Sequence, residues 1–395
     1  MRTKLSLFLA LCLASSVAAQ TTAERKPLPM QEMRTLSATY DLLLTSYIAP
    51  LEGSELIRAA IQGMLREVDP EGGEYWTEQE FQEFRAGPPP GTGSIGVELR
   101  RRDGVLFFSP MVGGPAALVG IKFGDELRAI DGVPVGSNTV TRLLGLLRGP
   151  VGSSVTVSVS RRTEGSTLTF SLKRAVVANP APTLVVLPQG LALVRVSTLT
   201  PSHVGDAFAL LRDAWTSSPF RGLILDLRNN QGGLVESAVA LASAFLPKDA
   251  VVATMVARAE AGNRVFRAVP SDYGRGTSRD PDTTLQQELR KVPLVLLVDG
   301  QTASGAEIVV AALRDAGRAN VVGRPTFGRG SIQTLTPLPG AGAVKYTTAQ
   351  WVSPSGAKIE RSPIVPSRLV AETSNDADLG AATSELNTLI AKSQQ

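Results

Sequence analysis

The sequence predicts an α/β protein in which a small β-rich domain precedes a larger core of sheet and helices. Three patterns point there. Runs that are apolar throughout, LALVRV (Leu191 to Val196), LILDL (Leu223 to Leu227) and LVLLV (Leu294 to Val298), are separated by helical stretches. Strands buried on both faces of a parallel or mixed sheet read this way. From Ser94 to about Arg174 the strands are instead short and alternating: GVEL, VLFFS, ELRAIDG, VTVSVSR and TLTFSLKR. Two helical pieces interrupt them, around Ala116 to Val119 and Thr139 to Leu147, which suits a small barrel or sandwich. Ahead of both, Glu32 to Glu67 carries apolar residues at helical spacing in two segments.

The chain opens with MRTKLSLFLALCLASSVAAQ, in which Arg2 and Lys4 precede an apolar stretch and the small residues Val17-Ala18-Ala19. That order is a secretory signal peptide with cleavage expected after Ala19, placing the mature chain in the periplasm or cell envelope. The single cysteine, Cys12, lies inside it, and Leu11 stands where a lipoprotein signal would want a small residue. The mature chain therefore has no disulfide or thiolate metal site. Its one histidine, His203, excludes a histidine metal cluster, and no cofactor is implied. The formal charge of +4 falls to +2 without Arg2 and Lys4, and no basic run is interleaved with aromatics, so nucleic acid is not an expected partner. No later apolar run is long enough for a stable membrane span.

In order, VDPEGG (Val68 to Gly73) turns the chain out of the first helices, and Thr77 with Glu80 forms a capping-box pattern. Arg85 to Gly93 reads as a linker. Within Ala257 to Arg290 a hairpin is expected near Gly262-Asn263, then a polar loop (Ser271 to Asp282) and a short helix. After Val370 the chain is polar and acidic before an amphipathic piece, Leu379 to Ile390. The central stretch is DGQTASGAEIVVAALRDAGRANVVGRPTFGRGSIQ (Asp299 to Gln333). A strand enters it, the chain turns at Asp299-Gly300, and Ser304 begins a helical segment, Ala306 to Ala316. A serine at such a turn has backbone N–H groups beside it with no intrahelical partner, where a nucleophile and an oxyanion site can coexist. A plain helix cap fits the same residue.

Several segments resemble the carboxyl-terminal processing peptidases, or tail-specific proteases. LILDLRNNQGGLVESAVALASAFL (Leu223 to Leu246) is similar to their sheet-and-helix signature, and Asp299 to Gln333 to their catalytic region. TTAQWVSPSGAKIERSPIVPS (Thr347 to Ser367) and AIQGMLREVDPEGGEYWT match the flanking regions, and GSIGVEL through RGPVGSSVTVSVSR resembles an embedded PDZ domain. The resemblance implies an α/β fold, a crotonase-like mixed-sheet protease core with an inserted PDZ domain and an N-terminal helical region. The implied division is residues 1–19 signal peptide, 20–90 helical region, 91–175 PDZ domain, 176–370 protease core and 371–395 C-terminal tail. It also implies a serine peptidase with a lysine base. Ser304 falls on the nucleophile and Gln333 on the residue that orients the base. Gly305 and one of Gly232 and Gly233 fall on the oxyanion-hole N–H donors.

The family's lysine position, in a motif read TFGKG, is Arg329 in the TFGRG of this chain. A lysine serves as base because burial brings its pKa from about 10.4 toward ~7 to 8. A guanidinium starts above ~12, and moving one from ~12.5 to ~8 would cost about 6 kcal/mol. It donates hydrogen bonds without accepting a proton. Three readings follow: a peptidase in which Arg329 is tolerated or another base, such as Lys345 or Lys358, is recruited; a catalytically silent relative acting as a peptide-binding adaptor; or a different hydrolysis on the same scaffold. A triad of His203 with Asp226 or Asp206 is the obvious substitute. The simpler reading makes His203 a helix-start residue and Asp226 a structural partner of Arg228.

A PDZ domain takes a peptide as an added strand and holds its terminal carboxylate on loop N–H groups. That loop would be Gly93-Ser94-Ile95-Gly96 and the receiving strand Val97-Glu98-Leu99, facing the helix Thr139 to Leu147. Leu143, Leu144 and Leu147 would line the apolar pocket or merely fill a small core. The implied partners are proteins or peptides with exposed C-termini, and a homo-oligomer or an activating partner is compatible with this reading.

Overall fold

The computed structural model describes residues 27–136, 138–162, 164–274, 283–371 and 374–394. The expected signal peptide and the loop over 275–282 lie outside the described residues. One compact unit ends at Ala60 and a second runs from Ile61. The first contains the helix Met30–Ser46, none of whose residues is buried, and the start of the helix Gly53–Val68.

In the second unit the apolar runs form a six-stranded sheet in the order Thr183–Leu187, Leu191–Arg195, Gly222–Asp226, Leu294–Val298, Asn320–Gly323 and Arg368–Leu369. The first pair is antiparallel and the rest are parallel. Successive side chains of a strand point to opposite faces, and here both faces are covered. Ala192, Val194, Leu223, Leu225, Leu294 and Leu296 pack into the main core with the helices Pro201–Ser217, Val235–Ser243 and Gly305–Asp315. Leu191, Ile224, Val295 and Leu297 point the other way, against Ala382, Leu386 and Ile390 of the final helix. That helix, Asn375–Ser393, extends beyond the amphipathic piece expected over Leu379 to Ile390. Its polar first turn hides the fact that Asp378 is buried, held by Arg228 at 3.0 Å and Arg324 at 2.7 Å.

A second sheet combines Glu74–Trp76, Val251–Ala257, Arg264–Arg267 and a long hairpin, Ser331–Leu338 with Gly342–Val352. The hairpin expected near Gly262-Asn263 is the Val251–Ala257 and Arg264–Arg267 pair. The capping box before Glu78–Ala86 forms as the sequence indicates, with Thr77 N–H donating to Glu80 at 2.8 Å and Glu80 N–H to Thr77 Oγ1 at 3.3 Å.

The alternating strands form a separate antiparallel sheet, Val97–Arg102, Val105–Pro110, Glu126–Ile130, Ser154–Ser160 and Thr167–Lys173, around their own core. Val97–Arg102 is an edge strand, paired on one side with Val105–Pro110. Leu143 and Leu147 of the helix Val140–Leu147 are each 1% exposed and belong to that core with Ile95.

Candidate active site

Ser304 stands at the end of a turn tied down at almost every residue. Asp299, just past the buried strand Leu294–Val298, accepts from the N–H groups of Asn229, Gln301 and Thr302, each at 3.0 Å. Thr302 Oγ1 donates to Leu227 O at 2.8 Å, and Ala303 N–H donates to Asn230 O at 3.0 Å. The LRNN loop and the serine turn are thus strapped together at neighbouring strand ends. Ser304 has φ 54° and ψ −120°, outside the basins a serine ordinarily occupies. Such a conformation costs on the order of 1–3 kcal/mol and persists only where the surroundings enforce it.

The two glycines of the GG pair sit against this corner. A Cβ on Gly232, at φ 97°, would lie 2.8 Å from Ala303 O and Gly305 N and 3.0 Å from Ser304 Cβ. Gly232 N–H is already given to Asn230 Oδ1 at 2.9 Å. Gly233 N–H and Gly305 N–H have no hydrogen-bond acceptor among the described residues, and a Cβ on Gly305 would come 3.4 Å from Gly233 N. Of the two glycines the sequence leaves open, Gly233 is therefore the one with a free donor beside Ser304. A cavity of about 450 Å³ opens alongside, walled by Gly232, Gly233, Thr198, Arg195, Met111 and Val112. Ser304 itself does not line that cavity; the two N–H groups near the serine corner are the kind of donors that stabilise negative charge developing on a carbonyl oxygen.

Glu307, one turn into the following helix and fully buried, organises the opposite side. Its carboxylate accepts from Ser304 N–H at 3.0 Å, Thr326 Oγ1 at 2.5 Å, Gly328 N–H at 2.6 Å and Arg329 N–H at 2.8 Å. One side chain therefore fixes the spacing between the serine and the TFGRG loop. Burial pushes the Glu307 carboxyl above its ordinary value, and these four hydrogen bonds pull against that rise. Sequence reasoning passed over Glu307, although serine followed three residues later by glutamate is itself a capping-box pattern.

Arg329 is half-buried and lines a cavity of about 70 Å³ together with Arg100, Gln333 and Lys345. Its guanidinium has no hydrogen-bond or ion-pair partner among the described residues. Gln333 lies beyond a bulge in Ser331–Leu338, and its amide packs so closely on Gly72 that no Cβ would fit there. Phe327 is held by the β-rich domain: the guanidinium groups of Arg100 and Arg102 lie 4.3 and 4.2 Å from its ring centre, and Arg102 Nη2 donates to its carbonyl at 2.7 Å.

The substitute bases are placed elsewhere or are occupied. His203 Nδ1 is 2.7 Å from Thr200 Oγ1 at the start of its helix, and Asp226 is paired with Arg228 at 2.7 Å, so His203 and Asp226 form no triad. Lys345 Nζ bonds Glu74 at 3.2 Å, and Lys358 is exposed. In the β-rich domain, Ser94 Oγ accepts the Gly96 N–H at 3.2 Å, with Gly96 at φ 71°. Leu143 and Leu147, expected as pocket residues, are instead packed in the domain's core, with Val97, Val140 and Leu144 partly buried against it.

A serine on a strained strand-to-helix corner beside unengaged N–H donors, in an α/β core preceded by a separate β-rich domain, is an arrangement that suits serine hydrolases. The model of Peptidase family S41 matches residues 190–370, and that of the PDZ domain matches residues 109–161. The carboxy-terminal-processing protease of Bartonella bacilliformis is 30% identical over 337 residues, covering 84% of this chain and 74% of that protein. The carboxy-terminal processing protease CtpA of Bacillus subtilis is 27% identical over 335 residues, covering 84% and 67%. The solved photosystem II D1 C-terminal processing protease shares the fold, with a TM-score of 0.68 at 24% identity over 91% of this chain and 97% of that one. The chain belongs to the carboxy-terminal processing protease family of S41 peptidases, with an S41 core and a PDZ domain. No helix among the described residues is long and apolar enough to cross a membrane.

Proposed function

We propose that this chain is an exported serine-type peptidase of the C-terminal processing class, cleaving proteins whose tails its PDZ domain has taken up. Ser304 is the nucleophile, Gly233 and Gly305 donate to the oxyanion, and Gln333 and Arg329 occupy the positions that orient and remove the serine proton. The observation that carries this reading is the enforced φ of 54° at Ser304 beside two unengaged N–H groups. A mere cap needs neither. Residues 1–19 are the export signal, and the edge strand Val97–Arg102, with the Gly93-Ser94-Ile95-Gly96 loop, receives the tail.

One observation favours a second reading, a silent relative that binds tails without cutting them. Arg329 is the base-position residue, and a guanidinium is a donor only. Labelling with a fluorophosphonate, wild type against Ser304→Ala, separates the two. Ser304-dependent labelling supports the peptidase. Absence of labelling together with micromolar binding of C-terminal peptides supports the adaptor.

A further inference from the structure

Arg100 is an unusual residue to find inside a domain junction. It is 4% exposed, and among the described residues its Nη1 is buried with no hydrogen-bond partner and its one ion pair is long, with Nη2 3.4 Å from the half-exposed Glu98. It shares the 70 Å³ cavity with Arg329, whose guanidinium has no hydrogen-bond or ion-pair partner among the described residues. The carboxylates on the cavity wall are already committed. Glu71 is paired with Arg361, Glu74 with Lys345 and the start of the PDZ helix, and Glu360 with the N–H groups of Gly330 and Ser331. Two guanidinium groups thus line one small space, and the carboxylates that act on Arg100 are Glu98, at 3.4 Å, and the buried Glu307, which is itself bonded to the backbone of the Arg329 loop. Burial, and after the opposing pull of Glu98 the like charge of Arg329, hold the Arg100 guanidinium below its ordinary pKa.

We infer that the cavity between Arg100 and Arg329 is a binding site for one carboxylate group. Guanidinium N–H forks match the two oxygens of a carboxylate in geometry and charge. The volume holds a group of acetate size, not a folded ligand. The carboxylate has two sources, a free small acid or the C-terminus of a peptide. The site does not depend on whether Ser304 acylates.

The test uses the full chain and 13C-acetate, with chloride at matched ionic strength as control. Saturable line broadening of acetate and an acetate-specific rise in Tm are expected. Both should weaken by about tenfold or more in apparent Kd in Arg329→Met, as for loss of a charge-assisted pair. Arg100→Met should behave alike, and if it does not fold, the half-buried Arg329 position alone decides. A peptide with a free C-terminus that displaces acetate, while its amidated form does not, identifies the peptide as the source. Displacement by neither identifies small acids. Acetate effects equal to those of chloride, or unchanged in the Arg329 variant, would overturn the site.

Discussion

At the scale of single residues, the chemistry turns on what stands 25 positions after Ser304. On the proposed assignment, Arg329 presents a cation where the reaction needs a proton acceptor. Arg329→Lys restores a group that burial can neutralise, and positioned general bases contribute on the order of 10²–10⁴ in rate. A rise of at least ~10² in Ser304-dependent peptide cleavage is therefore expected. Equal, robust cleavage by both forms would show that another base serves. Gly232 is the second residue-scale constraint, since its φ of 97° and the 2.8 Å approach to Ala303 O leave no room for a methyl group. Gly232→Ala should abolish fluorophosphonate labelling while far-UV circular dichroism stays near wild type, because the clash is confined to the loop. The GG pair is plain in the sequence. That Asn230 takes the first N–H and leaves the second free is a fact of loop geometry with no sequence pattern.

Among elements, the final helix was the least legible. Its acidic start, Asp376 and Asp378, reads as solvated tail, yet Asp378 receives two arginines from the ends of two sheet strands. Asp378→Ala takes one of two carboxylates from Arg228, which keeps Asp226, and one from Arg324, and should destabilise the protein by about 1–3 kcal/mol in denaturant titration. Leu386→Ala, at the contact with Gly222 and the sheet's second face, should cost about 2–5 kcal/mol by the same measurement. A change in neither midpoint would mean that this helix is not part of the folding unit. By contrast, the uniformly apolar strands announced themselves. Their lack of alternation follows from being covered on both faces, which is a property each strand carries locally.

Across the whole molecule, the PDZ domain meets the core through the rings of Phe107, Phe123 and Phe327 and through polar contacts, among which Glu74 bonds both sides. Its carboxylate accepts from Val140 N–H at 2.8 Å and Thr141 Oγ1 at 2.7 Å on the PDZ helix, and from Lys345 of the core at 3.2 Å. Burial alone would raise the Glu74 carboxyl, but Lys345 and the hydrogen bonds from Trp76, Thr141 and Lys345 outweigh it and hold the group below its ordinary value. A depressed carboxyl stabilises the fold fully above the ordinary value of 4.5 and loses that contribution as pH falls through the depressed one. Glu74→Gln should therefore flatten the acid limb of a stability–pH curve below about pH 4.5, and limited proteolysis at neutral pH should cut faster at the junction. An acid limb identical to wild type would remove Glu74 from that role.

The sequence by itself determined the order of domains, the buried strands and the serine corner, because these depend on periodicity, turn residues and spacing along the chain. Tertiary structure alone decided which glycine keeps a free N–H, that Glu307 spaces the serine from the Arg329 loop, and that Arg100 and Arg329 meet in one cavity. Those are pairings between residues distant in the chain. No local pattern encodes them, because their energy comes from burial and partner choice that exist only once the sheets and helices have packed.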